Sequence, residues 1–134
     1  MNKHTVLSLD LAKTVIQIAK VSQYGEILFN KAKSPDQIRK ILANTPPCIV
    51  AMEGCGSAHY WARYAQQFGH TVRMMSPRLV KPYITGQKND ANDAVGIMVA
   101  SQQPRMTFSQ VKSVEQQNIQ SITTSRRLLD KSLT

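Results

Sequence analysis

A chain of 134 residues, 42% apolar and 19% charged, holds enough apolar material for one domain with a real core and too much for a disordered segment. No apolar run approaches the roughly 18 residues that span a bilayer, and the opening Met1-Asn2-Lys3-His4 has no signal-peptide pattern, so a cytoplasmic protein is expected. The net charge of +9, from 17 basic and 8 acidic side chains, points to a polyanion as partner, most often nucleic acid, against the plainer alternative of a basic protein without such a partner.

Residues 4–11 alternate, with Val6, Ser8 and Asp10 on one side and Leu7, Leu9 and Leu11 on the other, the pattern of a strand. Residues 14–21 repeat it with Val15, Ile16, Ile18 and Val21; Tyr24-Gly25 reads as a turn, and residues 26–30 as a third short strand. Three strands with such tight links form an antiparallel meander. Ser34-Pro35-Asp36-Gln37 is a helix start, with Ser34 as cap, Pro35 in the first helical position and Gln37 completing a capping box. Ile38, Ile41 and Leu42 give that helix a buried stripe, and Pro46-Pro47 ends the segment.

Cys48 to Met52 is a continuous apolar run, as in a central parallel strand. Ser57 is expected to cap the next helix, whose Trp61, Tyr64, Ala65 and Phe68 recur at helical spacing before Gly69 stops it. A fifth strand follows at 70–75, then a short connection from Pro77 to Tyr83 with room for one helical turn. The last core helix opens at Asp90 behind an Asn89 cap and runs to about Gln102, where Pro104 halts it. Residues 111–133 carry a weak apolar pattern and predict a further helix. The order β-β-β-α-β-α-β-α divides the chain into a core domain at 1–104 and a linker with helical extension at 105–134.

Four acids stand out. Asp10 ends the first strand, Glu53 ends the fourth, and Asp90 and Asp93 project from the first turn of the last helix. Two carboxylates at a helix N-terminus could simply complement the helix dipole. An acid in an otherwise apolar central strand is costly unless paired or metal-bound, and that anomaly occurs twice. The four are therefore expected to meet at the carboxyl ends of the strands and hold divalent metal against a phosphodiester. Magnesium suits them, with manganese as substitute, because it prefers oxygen ligands and keeps waters for substrate phosphate.

The remaining surface is strongly basic. From Gly54 to Asn89 there is no acid, while Arg63, Arg73, Arg78, Lys81 and Lys88 fall there. With Lys13, these are the candidate nucleic-acid contacts, with solvated surface as the alternative for each. Trp61 and Tyr64 read as core; Tyr60, off their stripe, could touch a base or be exposed. His59 and His70 read as structural or surface groups. Cys48 and Cys55 would point to opposite faces of one strand, so no disulfide is expected, and two cysteines with three scattered histidines form no zinc spacing.

At these residues the chain resembles the N-terminal RuvC-like domain of the DEDD transposases, insertion-sequence recombinases related to the Piv DNA invertase. The matching segments are Leu9-Asp10-Leu11-Ala12-Lys13, the run from Met52 to Ala62, Val80-Lys81-Pro82-Tyr83 and Lys88-Asn89-Asp90-Ala91-Asn92-Asp93-Ala94, with Val111 to Gln117 similar to the family's exit from this domain. The resemblance covers about residues 4–120. It implies a ribonuclease H-like (RuvC-like) α/β/α sandwich with a mixed five-stranded sheet plus a C-terminal helix. It further implies that Asp10, Glu53, Asp90 and Asp93 are the DEDD tetrad that binds magnesium for DNA cleavage and strand transfer in transposition. A structured guide RNA and assembly as a homo-oligomer or with full-length transposase are implied as well. Full-length members continue into a helical region and a second domain with a serine thought to be the DNA nucleophile; this chain stops at Thr134.

The alternative is a catalytically incomplete nucleic-acid-binding fragment that associates with full-length transposase. An ATP-binding relative of the same broad fold ranks lower, because Asp10-Leu11-Ala12-Lys13-Thr14 lacks the glycines of a phosphate loop.

Overall fold

In the computed structural model, which describes residues 5–11, 15–84, 86 and 89–119, strand β1 (Val6–Leu11) lies at the centre of a five-stranded sheet. It pairs antiparallel with β2 (Ile16–Val21) and parallel with β4 (Ile49–Glu53). β3 (Ile27–Lys33) closes one side, antiparallel to β2, and β5 (Thr71–Met75) the other, parallel to β4, in the order β3-β2-β1-β4-β5. The mixed sheet expected from the element order is therefore present, meander first and crossovers after it.

The period-2 pattern of β1 assigns its two faces. Leu7 and Leu9 are buried on the side covered by α1 (Pro35–Asn44) and α2 (Ala58–Gln67), with Ile18, Val50, Met52, Ile38, Leu42 and Trp61. Val6 turns to the other side, where Ile49, Ala51 and Met75 pack with Ile97 and Ala100 of α4 (Asp90–Ser101). One helical layer on each face makes a sandwich, and β4, covered on both faces, reads as a near-continuous apolar run.

Local signals explain most element ends. The capping box is formed: Ser34 Oγ accepts the Gln37 N–H at 3.3 Å, and Gln37 Oε1 accepts the Ser34 N–H at 3.0 Å. Gly69 takes φ +83° just past α2, a conformation that ends helices because side chains rarely adopt it. Asn89 caps α4, its side-chain oxygen accepting the Asn92 N–H at 2.9 Å. The connection after β5 is a four-residue helix, α3 (Pro77–Val80), running into a 3-10 turn at Lys81–Tyr83.

Three expectations are corrected. β3 runs to Lys33 rather than Asn30, because β2 supplies ladder partners through Ile16↔Lys33 and the ladder outweighs the polar composition of the added residues. Ser57 sits at the head of α2 but makes no capping hydrogen bond, since its backbone is already in the helical region and its hydroxyl lies 3.6 Å from Cys55 Sγ. The final helix begins at 114, not 111, because the Ser109 and Lys112 N–H groups bond to Met74 and His59 of the domain instead; residues 120–133 of the expected helix lie outside the described residues. Among the described residues, no helix is long and apolar enough to cross a membrane.

Candidate active site

Asp10, the last residue but one of β1, and Glu53, the last of β4, lie on neighbouring parallel strands, and the β1–β4 register runs out one step before them, at Leu9↔Met52. Their side chains emerge on the α4 face, as parity from Val6 and Ala51 requires. Asp93 comes to the same place from the first turn of α4. Asp10, Glu53 and Asp93 line one cleft of about 530 Å³, together with Pro77, Lys81, Ile84 and Gly86. Three acids from three separated parts of the chain thus share one wall-to-wall space. Asp90 opens α4, on the same turn as Asp93; its side chain lies outside the described set.

The turn that carries Asp93 is tied to the sheet by a polar relay. Ser8, the residue between Val6 and Asp10 on that face, donates its hydroxyl to the Ala94 carbonyl in a buried bond. Gln17, the cross-strand partner of Asp10, donates to Asn30 Oδ1 at 2.7 Å, and Asn30 Nδ2 donates to the Ala91 carbonyl at 3.0 Å. Sequence reading did not single out Ser8, Gln17 or Asn30. The available signal was parity: each is a polar residue on the buried α4 face of its strand.

Asp93 Oδ1 is buried and has no hydrogen-bond partner among the described residues. A buried carboxylate oxygen left this way is costly, whereas a cation against it would compensate. The donor set, carboxylate oxygens with room for water, is that of a hard divalent ion. Among the described residues, however, no three of the His, Cys, Asp or Glu side chains stand close enough together to hold one ion. The cleft thus collects the acids without closing them around a single point.

The candidate nucleic-acid contacts fall into groups. Lys81 is exposed and lines the acidic cleft, and Arg78 is exposed one groove away. Arg63 and Arg73 are instead engaged inside the molecule. Arg63 Nη1 donates to the Lys112 carbonyl and to Gln117 Oε1, and Arg73 Nη1 donates to the Ser101 carbonyl at 2.8 Å while its guanidinium lies 5.4 Å from the Phe108 ring centre. Both therefore hold the 101–117 return against the core. Lys13 and Lys88 lie outside the described residues.

That return has further anchors. Ser109 N–H donates to the Met74 carbonyl at 2.7 Å, on the free side of β5, and the Lys112 N–H donates to His59 Nδ1 at 2.9 Å. Burial, then the nearby cations Lys112 and Arg63, push the His59 imidazole below its ordinary range. His70 is a buried brace: its Nδ1 accepts the Cys48 N–H at 3.1 Å, and its Nε2 meets the Leu42 carbonyl at 2.7 Å. Tyr60 is partly exposed, and its hydroxyl accepts a hydrogen bond from Arg39 Nε at 3.0 Å. Cys48 is buried and Cys55 exposed, both free.

Comparison with known proteins gives similar sequences and a similar fold. The chain is 47% identical over 116 residues to a probable family 20 transposase of Pseudomonas aeruginosa, covering 87% of this chain and 34% of that protein. It is 40% identical to the transposase for insertion sequence element IS1328 of Yersinia enterocolitica, over 84% of this chain and 34% of the relative. It is 36% identical over 129 residues to the transposase for insertion sequence element IS1111A of Coxiella burnetii, over 96% of this chain and 35% of that protein. The chain thus spans about a third of the length of these curated relatives. No family model matches. Among solved structures, Thermus thermophilus RuvC in complex with a Holliday junction substrate superposes with a TM-score of 0.51 at 15% identity, covering 72% of this chain and 91% of that one.

Proposed function

Given that this chain is a RuvC-like domain whose sequence is homologous to insertion-sequence transposases over most of its length, we propose that it is the nuclease-type catalytic domain of a DNA transposase. In this reading Asp10, Glu53, Asp90 and Asp93 hold divalent metal, magnesium or manganese, against a DNA phosphodiester. The observation that carries it is the common cleft of Asp10, Glu53 and Asp93, with a carboxylate oxygen of Asp93 buried and without a hydrogen-bond partner among the described residues.

The metal would supply Lewis-acid stabilisation of charge building on the phosphate and its leaving oxygen. The chain's own residues do the rest. β1 and β4 present Asp10 and Glu53 from the sheet, and the first turn of α4, seated by Ser8 and Asn30, carries Asp93 into the same cleft. Lys81, on the cleft wall, is placed to meet a phosphate oxygen and to steer the strand in. Strand transfer, a structured guide RNA, assembly with further copies or with full-length transposase, and a cytoplasmic site of action belong to this proposal through the family resemblance.

Titration calorimetry with magnesium and with manganese, on the wild-type chain and on Asp10→Ala, tests the reading. Binding by the wild type and its loss in the variant are expected; equal binding by both defeats the tetrad. Metal-dependent nicking of labelled DNA, absent in Asp90→Ala, is the matching readout of chemistry. A second reading is favoured by the net charge of +9 and the exposed Arg78, Lys81 and Arg105. In that reading the chain is a nucleic-acid-binding module that associates with full-length transposase. It predicts DNA binding with neither metal affinity nor nicking.

A further inference from the structure

The segment α3 and its 3-10 turn form a ridge with two sides. Pro77, Lys81 and Ile84 face the acidic cleft, while Arg78, Pro82 and Tyr83 line a separate groove of about 500 Å³. The opposite wall of that groove is Gln103, Pro104 and Arg105, on the return that follows α4. We infer that this groove holds the backbone of the DNA flank leaving the cleft, with Arg78 and Arg105 each on a phosphate; the inference rests on the cleft being the DNA-cleaving site.

Charge supports it. The groove's two walls come from the two long acid-free stretches of the chain, Gly54 to Asn89 and Ala94 to Val114. Arg78 and Arg105 are exposed, and neither has a carboxylate within ion-pair distance among the described residues. A guanidinium without a protein carboxylate is free to offer its planar fork to phosphate. The acidic cleft beside it would repel a polyanion, so a cationic groove one ridge away supplies the attraction that a cleaved strand needs on its way out.

Shape supports it too. Proline stands in each wall, Pro82 and Pro104, which limits the backbone freedom of both. The ridge is pressed against α4, because a Cβ at Gly96 would meet Ile84 Cγ1 at 2.7 Å and the Tyr83 carbonyl oxygen at 3.1 Å. The helix that carries Asp93 and the ridge that carries Arg78 are thereby kept at fixed spacing, and a strand can occupy both sides of the ridge in one register. Tyr83 adds an aromatic wall of the kind on which a splayed base can stack.

The test is binding of a short fluorescein-labelled DNA duplex by anisotropy, in EDTA, across a range of potassium chloride concentrations. The Arg78→Gln, Arg105→Gln double variant should lower the magnitude of the log K against log salt slope by about 1.8, two phosphates at roughly 0.9 each. Arg78→Lys, Arg105→Lys should keep the slope. Lys31→Gln, Lys40→Gln, which removes two exposed charges far from the groove in the chain, should change it by clearly less. An unchanged slope in the arginine double variant, or an equal fall in the lysine control, overturns the groove. So does a fall seen with an RNA probe but not with duplex DNA. Metal binding is read separately in the Asp10→Ala calorimetry. A wild type that binds no metal while the arginine variant loses slope sinks the catalytic reading and leaves only the phosphate contacts of Arg78 and Arg105 standing; a wild type that binds metal while the arginine variant keeps its slope sinks the groove alone.

Discussion

Gly96 and Ile84 meet closer than any side chain at position 96 could tolerate: a Cβ there would lie 2.7 Å from Ile84 Cγ1 and 3.1 Å from Ile84 Cα. Glycine inside a helix ordinarily costs about 1 kcal/mol relative to alanine. Here the cost is offset by the contact it permits between α4 and the ridge at the cleft. Gly96→Ala should therefore destabilise despite the better helix former, because the nearest atoms include backbone that must move; overpacking of this kind costs about 1–3 kcal/mol. A urea midpoint lower than wild type checks it, and a midpoint at or above wild type would mean the ridge is free to shift.

Asn30 is the middle of the relay from Gln17 to the Ala91 carbonyl. Asn30→Ala leaves the Gln17 amide of a buried side chain without its acceptor, at a cost of about 1–3 kcal/mol. Since the relay seats the first turn of α4, the variant should also weaken manganese binding; Asn30→Asp keeps the acceptor for Gln17 but sets a carboxylate oxygen against the Ala91 carbonyl, so it should recover neither stability nor metal affinity in full. Calorimetry beside chemical denaturation separates the two effects.

Asp93→Asn removes one of the like charges in the cleft and lets the side chain donate a hydrogen bond as well as accept one. Without metal, its melting temperature should equal or exceed wild type. With millimolar manganese, the wild type should gain stability according to RT ln(1 + [L]/Kd), about 2.7 kcal/mol at a hundredfold excess over Kd, and the variant should gain much less. Thermal melts with and without metal read both halves. A variant that loses stability in EDTA would show that Asp93 has a structural partner instead.

His59 accepts the Lys112 N–H through Nδ1, so protonation at that nitrogen breaks the bond. Its imidazole is held below the ordinary value by burial first, then by Lys112 and Arg63. A base with a lowered folded-state pKa contributes stability that is present above its unfolded value, near 6.5, and lost as pH falls through the folded one. Cooling of the melting temperature between neutral and mildly acid pH should therefore be smaller in His59→Asn than in wild type. Hydrogen-exchange protection at 112–117, taken relative to the intrinsic rate at each pH, should also fall in wild type over that window, and at all pH values in Arg63→Gln, which loses the bonds to Lys112 and Gln117.

The two thiols should differ sharply. Burial pushes Cys48 up to about 11, while Cys55 is exposed. A thiol-specific disulfide reagent at neutral pH should titrate one fast thiol in the native chain and two after denaturation. Cys55→Ser should abolish the fast phase; a fast phase that survives it would mean Cys48 is reachable.

Where residues announced their role ahead of any coordinates, the signal was local. Ser34 to Gln37 had to cap a helix, Gly69 had to end one, and Leu7 and Leu9 had to face away from Val6, because capping, φ and strand parity depend on neighbours a few positions off. Asp10 and Glu53 stood out for a related reason, since an acid near the end of an apolar strand violates the local pattern; that they share one cleft with Asp93 was decided by the fold. The length of β3 was not legible, since Lys31, Ala32 and Lys33 become strand only through their partners on β2.

Placement across the molecule was decided by folding alone. Arg63 and Arg73 looked like any basic surface residue, and became internal ties because a segment some 28 to 54 positions away returns to offer carbonyls. Ser8, Gln17 and Asn30 took on their role only when α4 crossed their face of the sheet. Composition and pattern state what each residue can do; which groups come within hydrogen-bonding reach depends on chain closure over long separations, and no short-range rule carries that information.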